Sequence, residues 1–290
     1  MTAATPTAAS TPPPTADRPL AAPVGRLLGA ELRWVLRRPR TLVMLALFAL
    51  VPVLVAIGVA VADANDRGPG LIAAVAGNGL VLPVVALTLS LALLLPLAVA
   101  MAAADAIAGE TSHGTLRGLL LAPVSRLALV GMKAFGVLVV ATLATLVIAV
   151  VGVLAGLVVV GGADGQLVTL SGTAVGAGEA LLRVGVVVVW TVGQLAAVGA
   201  VALAISSVTE HPLVVLASVL GGLIVCGVLT AIPALDWLQP WLLTTGWTAG
   251  ADVLRDPVPL AGLTESSLHA LCYVAVGGGL TTYRMLRRDA

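Results

Sequence analysis

The sequence predicts an all-α polytopic membrane protein with six transmembrane helices, an N-terminal amphipathic interfacial helix and both termini on the cytoplasmic side. Three observations carry this reading. The 290-residue chain is 59% hydrophobic and only 10% charged, whereas soluble domains carry about 25% charged residues, so it cannot clothe a water-facing surface. Six stretches free of Asp, Glu, Lys and Arg run through 41–62, 68–104, 134–163, 184–209, 211–235 and 266–283. Each meets or approaches the roughly 20 apolar residues that a bilayer crossing needs. With the N-terminus inside, twelve of the fifteen basic residues fall on the cytoplasmic side and only Arg67, Arg183 and Arg255 outside, the bias expected of cytoplasmic loops.

Residues 1–23 are a Thr/Ala/Pro tail containing Pro12-Pro13-Pro14; such a composition buries no core and is expected to be disordered. It does not resemble a secretory signal, because prolines stand where the charged and apolar regions should be. Residues 24–38 turn helical: Arg26, Arg33 and Arg37 fall on one stripe and Leu28, Leu32 and Val35 on the opposite face. This is the pattern of a helix lying at the interface, or of a simple basic anchor for the first span. Pro39 ends that helix or bends the chain.

The 68–104 run would extend to roughly 50 Å as one helix, more than one bilayer core. A break at Pro83 would make two short spans, but it would also move Arg117, Arg126 and Lys133 outside and weaken the charge bias. One long, tilted or kinked helix is therefore expected. The loop 163–178 is rich in Gly, Thr and Ser and is expected to be external and without structure of its own. The external loop 234–264 carries Trp237, Trp241 and Trp247 with Pro240, Pro257 and Pro259, and Pro233 stands just before it. Short helices in the outer leaflet, with the tryptophans as an interfacial aromatic belt, suit it. Gly152-x-x-x-Gly156 and Gly277-Gly278-Gly279 allow close helix approach, though such spacings arise easily in a chain with 32 glycines.

The chemistry of an enzyme is missing. There is no phosphate-binding Gly-x-x-x-x-Gly-Lys loop, and the only lysine, Lys133, follows Met132. No zinc-binding His-Glu-x-x-His pair occurs; His113, His211 and His269 stand far apart, and Cys226 and Cys272 each lie inside an apolar run. No catalytic residue, metal site or nucleic-acid partner is expected. Asp105, Glu179, Glu210 and Glu265 sit at the ends of apolar runs rather than within them, which disfavours ion coupling through a mid-membrane carboxylate.

What remains is a polar island at 105–126, placed inside the cell by the charge count. It packs Gly109, Glu110, Thr111, Ser112, His113, Gly114, Thr115, Leu116 and Arg117 into one short segment. Hydroxyls, an acid and a base this close can make a dense set of charge-assisted bonds to a partner, or form an ordinary solvated loop.

The order Asp105-x-Ile-Ala-Gly-Glu110-x-x-x-Gly-Thr-Leu-Arg117, then Pro123-Val-Ser-Arg126 and Lys133, resembles the first cytoplasmic loop of the ABC type-2 transporter permeases. Glu31-Leu-Arg-x-x-Leu-Arg-Arg-Pro39 is similar to the N-terminal elbow helix of that family, and Tyr283-Arg-x-Leu-Arg-Arg-Asp289 to its basic tail. His113 beside Gly114 departs from the commonest form of the motif.

The resemblance implies an exporter permease domain over 24–290, with an elbow helix at 24–38 and a coupling loop at 105–127. It implies a dimer with a second copy or a related permease, in the cell membrane. ATP and Mg would sit on a separate ATP-binding-cassette ATPase, leaving this chain without a cofactor. Residues 109–117 would seat in that ATPase, and the elbow arginines Arg26, Arg33 and Arg37 would give a second contact. A membrane anchor that docks a soluble partner without transport is the alternative.

Overall fold

The computed structural model describes residues 29, 32–33, 37, 39–61, 74–76, 78–112, 125–161 and 167–287. The N-terminal tail, Arg26 and the stretch from His113 to Val124 lie outside the described residues. Among the described residues seven longer helices follow one another: α1 (Pro39–Val61), α2 (Leu82–Leu91), α3 (Leu94–Ala104), α4 (Arg126–Ala155), α5 (Ala177–Ser206), α6 (Pro212–Thr230) and α7 (Leu260–Arg287). Lipid leaves no water to bond a bare backbone, so apolar runs of this length close their hydrogen bonds internally as helices.

Among the described residues five helices are long and apolar enough to cross a membrane: Pro39–Val61, Leu94–Ser112, Arg126–Val160, Ala177–Ser206 and Pro212–Thr230. The expected sixth, α7, has 28 residues, but its first half carries Thr264, Glu265, Ser266, Ser267 and His269 and is correspondingly less apolar.

The expected single long second helix is broken. Leu93 leaves the helical region at φ −151°, ψ −48°, and the cause lies three residues on. Pro96 has no N–H for the Ala92 carbonyl and its ring crowds that carbonyl. The ladder resumes where Leu97 N–H donates to Leu93 O at 3.0 Å. Pro83 breaks nothing, because it stands in the first turn of α2, where a missing N–H costs nothing. Pro39 likewise opens α1.

Helix α5 is the hub, packing against α2, α3, α4, α6 and α7. Two crossings demand glycine. A Cβ on Gly156 would stand 2.0 Å from the Gly79 carbonyl oxygen, and one on Gly277 would stand 2.7 Å from the Ala200 backbone. The Gly152–Gly156 spacing thus serves a crossing within the chain, with Gly152 against Pro83 and Gly156 against Gly79.

The loop expected to lack structure forms an antiparallel hairpin, β1 (Leu167–Val168) and β2 (Ala174–Val175), with Leu167 opposite Val175 and Val168 opposite Ala174. Its turn is possible because Gly172 takes φ +85°, open to a residue without Cβ. The 234–264 region does hold short helices, at Pro233–Leu235, Gln239–Trp241 and Thr245–Leu254. The last of these packs between α2, α5 and α7. Trp237 and Trp241 are 71% and 73% exposed, as an aromatic belt requires, but Trp247 is 7% exposed and belongs to the core.

Candidate functional site

The polar island begins where α3 ends. Asp105–Gly109 widens into a π turn and Glu110–Ser112 adds a last helical turn. A π turn misaligns the backbone ladder, and the Ala108 N–H turns instead to Ser206 Oγ on α5, at 3.0 Å in the buried interior. Thr111 Oγ1 donates back to Ile107 O at 2.9 Å and Ser112 Oγ to Gly109 O at 2.8 Å. These hydroxyls hold the turn's own backbone.

Glu110 forms an ion pair with Lys133, whose Nζ donates to Glu110 Oε1. Lys133 lies two turns into α4 and its side chain is 6% exposed. An ammonium there needs a counter-charge, since an isolated buried charge is prohibitively costly. Across the same segment, Arg40 Nη1 donates to Asp105 Oδ2 at 3.1 Å, an exposed pair that reaches the start of α1.

The far end of the island is held as well. Ser125 caps α4, its Oγ accepting from Ala128 N–H at 3.2 Å, a favoured N-cap arrangement. Arg126 Nη1 donates to Met285 O and Leu286 O, at 3.0 and 2.9 Å, the last carbonyls of α7. The described part of the island is therefore tied to α1, α4 and α5, and its return to α7.

Of the residues expected to meet a partner, Gly109 is buried within the π turn, Glu110 faces Lys133, and Thr111 and Ser112 bond their own turn. His113, Gly114, Thr115, Leu116 and Arg117 lie outside the described residues. Arg33 and Arg37 are exposed, with helical backbone, and Arg33 Nε donates to Gly29 O at 3.2 Å. The sequence reading missed the Glu110–Lys133 pair, although a lone lysine in an apolar helix was a usable signal.

A second polar centre sits at the opposite end of α5. Arg183 is buried, and all five of its N–H groups are engaged. Nε and Nη2 donate to Glu179 Oε1 at 3.1 and 2.6 Å, and Nη2 also to Asp256 Oδ1 at 3.3 Å. Nη1 donates to the carbonyls of Val253 and Arg255 at 3.1 and 3.0 Å. Asp256 in turn accepts from Thr173 Oγ1 at 2.9 Å, and its N–H donates to Ser171 Oγ at 3.0 Å. One guanidinium so gathers the hairpin, the Thr245–Leu254 helix and α5 into a cap.

This arrangement suits a membrane component that transmits movement more than one that does chemistry: ionic and hydrogen-bonded ties cluster at the two ends of a hub helix. No curated protein matches the chain. The family model described as ABC-2 family transporter protein matches residues 26–245. The chain belongs to the ABC-2 family of transporter proteins and is a membrane permease of an ABC transporter, a transport component that is not itself catalytic.

Proposed function

We propose that this chain is the membrane-spanning subunit of an ABC exporter. Six helices, α7 being the sixth, cross the cell membrane with both termini in the cytoplasm. Two copies, or this chain and a related permease, enclose the pathway. ATP and Mg are held by a separate ATP-binding-cassette ATPase, which seats the 109–117 segment in a surface cleft and touches the elbow arginines Arg26, Arg33 and Arg37.

The observation that carries the reading is the frame around 105–112. A displacement of that segment by a closing ATPase would pull on α4 through Glu110–Lys133, on α1 through Asp105–Arg40 and on α5 through Ala108–Ser206. Three helices of the pathway would then respond to one contact. A partner shifts such an equilibrium only through contacts that differ between its two states. In this mechanism Glu110 acts inside the permease, pinning the seated 109–117 segment to α4 through Lys133.

Gentle-detergent purification from the native membrane, followed by mass spectrometry of what accompanies the chain, tests this. A P-loop ATPase in equal amount is the expected result. Folded permease that repeatedly emerges without one would overturn the reading in favour of a non-transporting anchor.

A further inference from the structure

The last turn of α7 holds a charged site that the transport reading does not use. Arg284 and Arg287 lie three residues apart and are both exposed. Among the described residues neither guanidinium has a carboxylate partner: Asp105 pairs with Arg40 and Glu110 with Lys133. Between this turn and Ser207–Val208, just past the end of α5, lies a cavity of about 440 Å³ lined by Ser207, Val208, Tyr283, Arg284 and Arg287. The Arg287 guanidinium carbon rests 4.4 Å from the centre of the Tyr283 ring. A cation–π contact of this kind fixes the guanidinium plane and leaves its N–H edges to engage an anion's oxygens.

A helix C-terminus ordinarily repels anions, because its last carbonyls carry the negative end of the helix dipole. Here two of those carbonyls, on Met285 and Leu286, are taken by Arg126, which also brings a third positive charge within a turn of the cavity. The lining is apolar as well as basic: Val208 is 59% exposed and Tyr283 48%. Paired guanidiniums with an apolar lining match a phosphate that carries acyl chains.

We infer that the cavity between Arg284, Arg287 and Tyr283 binds a phosphate group, that of an anionic phospholipid headgroup or a free phosphate. The lipid source rests on the membrane placement and inward orientation of α7 proposed above, and not on transport. Occupancy would brace α7 against Arg126, the first residue of α4 after the docking segment, so lipid composition would tune the stiffness of the coupling frame.

The test uses the full chain in a neutral detergent, titrated separately with phosphatidylglycerol, phosphatidylcholine and inorganic phosphate, while thermal unfolding and lipid retention in native mass spectrometry are followed. Phosphatidylglycerol should stabilise the chain saturably and phosphatidylcholine should not. Basic residues near an anionic surface contribute about 1 kcal/mol each, so R284Q/R287Q should weaken the apparent affinity roughly thirtyfold. The milder R284Q, whose side chain touches no ring, should weaken it roughly fivefold, and it serves if the double variant melts early without lipid. Stabilisation by inorganic phosphate that competes with the lipid would support the site and assign it to the free anion. Titrations of R284Q that superimpose on wild type, or equal stabilisation by phosphatidylcholine, would overturn it. Absence of an ATPase partner would leave these titrations unchanged, so the two proposals fail separately.

Discussion

Replacing Arg183 by methionine removes the guanidinium that holds the cap while keeping the length and apolar body of the side chain. The loss can be worked contact by contact. The Val253 carbonyl bonds Arg183 in the buried interior and the Arg255 carbonyl in a partly buried setting. A buried acceptor stripped of its donor costs about 1–3 kcal/mol, and a part-buried one about 1 kcal/mol. Glu179 and Asp256 add little, because their side chains are 52% and 37% exposed and solvent-screened pairs contribute about 0–1 kcal/mol. The cap should therefore open about 2–4 kcal/mol more easily, which is roughly 30- to 700-fold faster amide exchange in the limit where reclosing outpaces exchange. Hydrogen–deuterium exchange read on peptides covering 167–176 and 245–256 checks this. Both should lose protection together although about 80 residues separate them, while 126–133 at the other end of the molecule stays protected. Arg183→Lys separates charge from geometry: three donors on one nitrogen cannot serve the same acceptors, so an intermediate loss is expected. Unchanged exchange in the methionine variant, or a uniform rise across the chain, would refute the reasoning.

Charge reversal at Glu110 places a cation against Lys133 and should uncouple ATP hydrolysis from transport; vesicles reconstituted with the ATPase should hydrolyse ATP with transport reduced to background, and full transport would count against the coupling frame. Gly156→Val forces a side chain into the Gly79 backbone and should cost about 1–3 kcal/mol as overpacking, read as a lowered thermal midpoint, whereas the same change at Gly161's open surroundings is no packing control because of its positive φ. Trp247→Ala should destabilise by about 3–5 kcal/mol as a core truncation, while Trp237→Ala, at an exposed site, should stay within about 0.5 kcal/mol; equal thermal midpoints for the two would contradict the division of the tryptophans into core and belt.

The helices were legible because lipid imposes one rule on every span: apolar side chains outside, backbone bonds inside. Their bends were less so. Pro83 and Pro96 look alike in the sequence, and only the position of the helix start tells which one falls in a first turn. That start is set by Gly79 meeting Gly156, a contact across 77 residues that no local pattern contains. Arg183 was readable as the fourth residue after Glu179, but its other partners lie at Val253, Arg255 and Asp256, beyond any periodicity. The hairpin escaped for the same reason, since Leu170 N–H bonds Leu254 O and its strands are two residues long. In the candidate site, residue order pointed to the 105–126 segment, yet it could not say that Glu110 turns inward. The apolar helix around Lys133 held that information, because a lone ammonium there requires a nearby acid.

The two polar centres share one helix, and that constrains how movement can pass between them. Helix α5 carries Arg183 near its start and Ser206 at its end, and its 30 residues span about 45 Å. It contains no proline, and towards its end it is locked against α7 where Gly277 meets the Ala200 backbone, so it lacks the break that a proline or a lost backbone bond would supply. The α2–α3 segment beside it has one, at Leu93. A pull at the island can therefore bend the neighbouring segment but must move α5 as a unit. Moving α5 as a unit carries Arg183 away from the carbonyls of Val253 and Arg255 or takes the whole cap with it. If the cap is a gate, ATP binding should lower protection at 245–256 in wild type, and R183M should show that lowered protection already in the absence of ATP. A cap that keeps full protection through the cycle would instead travel with α5, and the opening would have to occur at the Leu93 break.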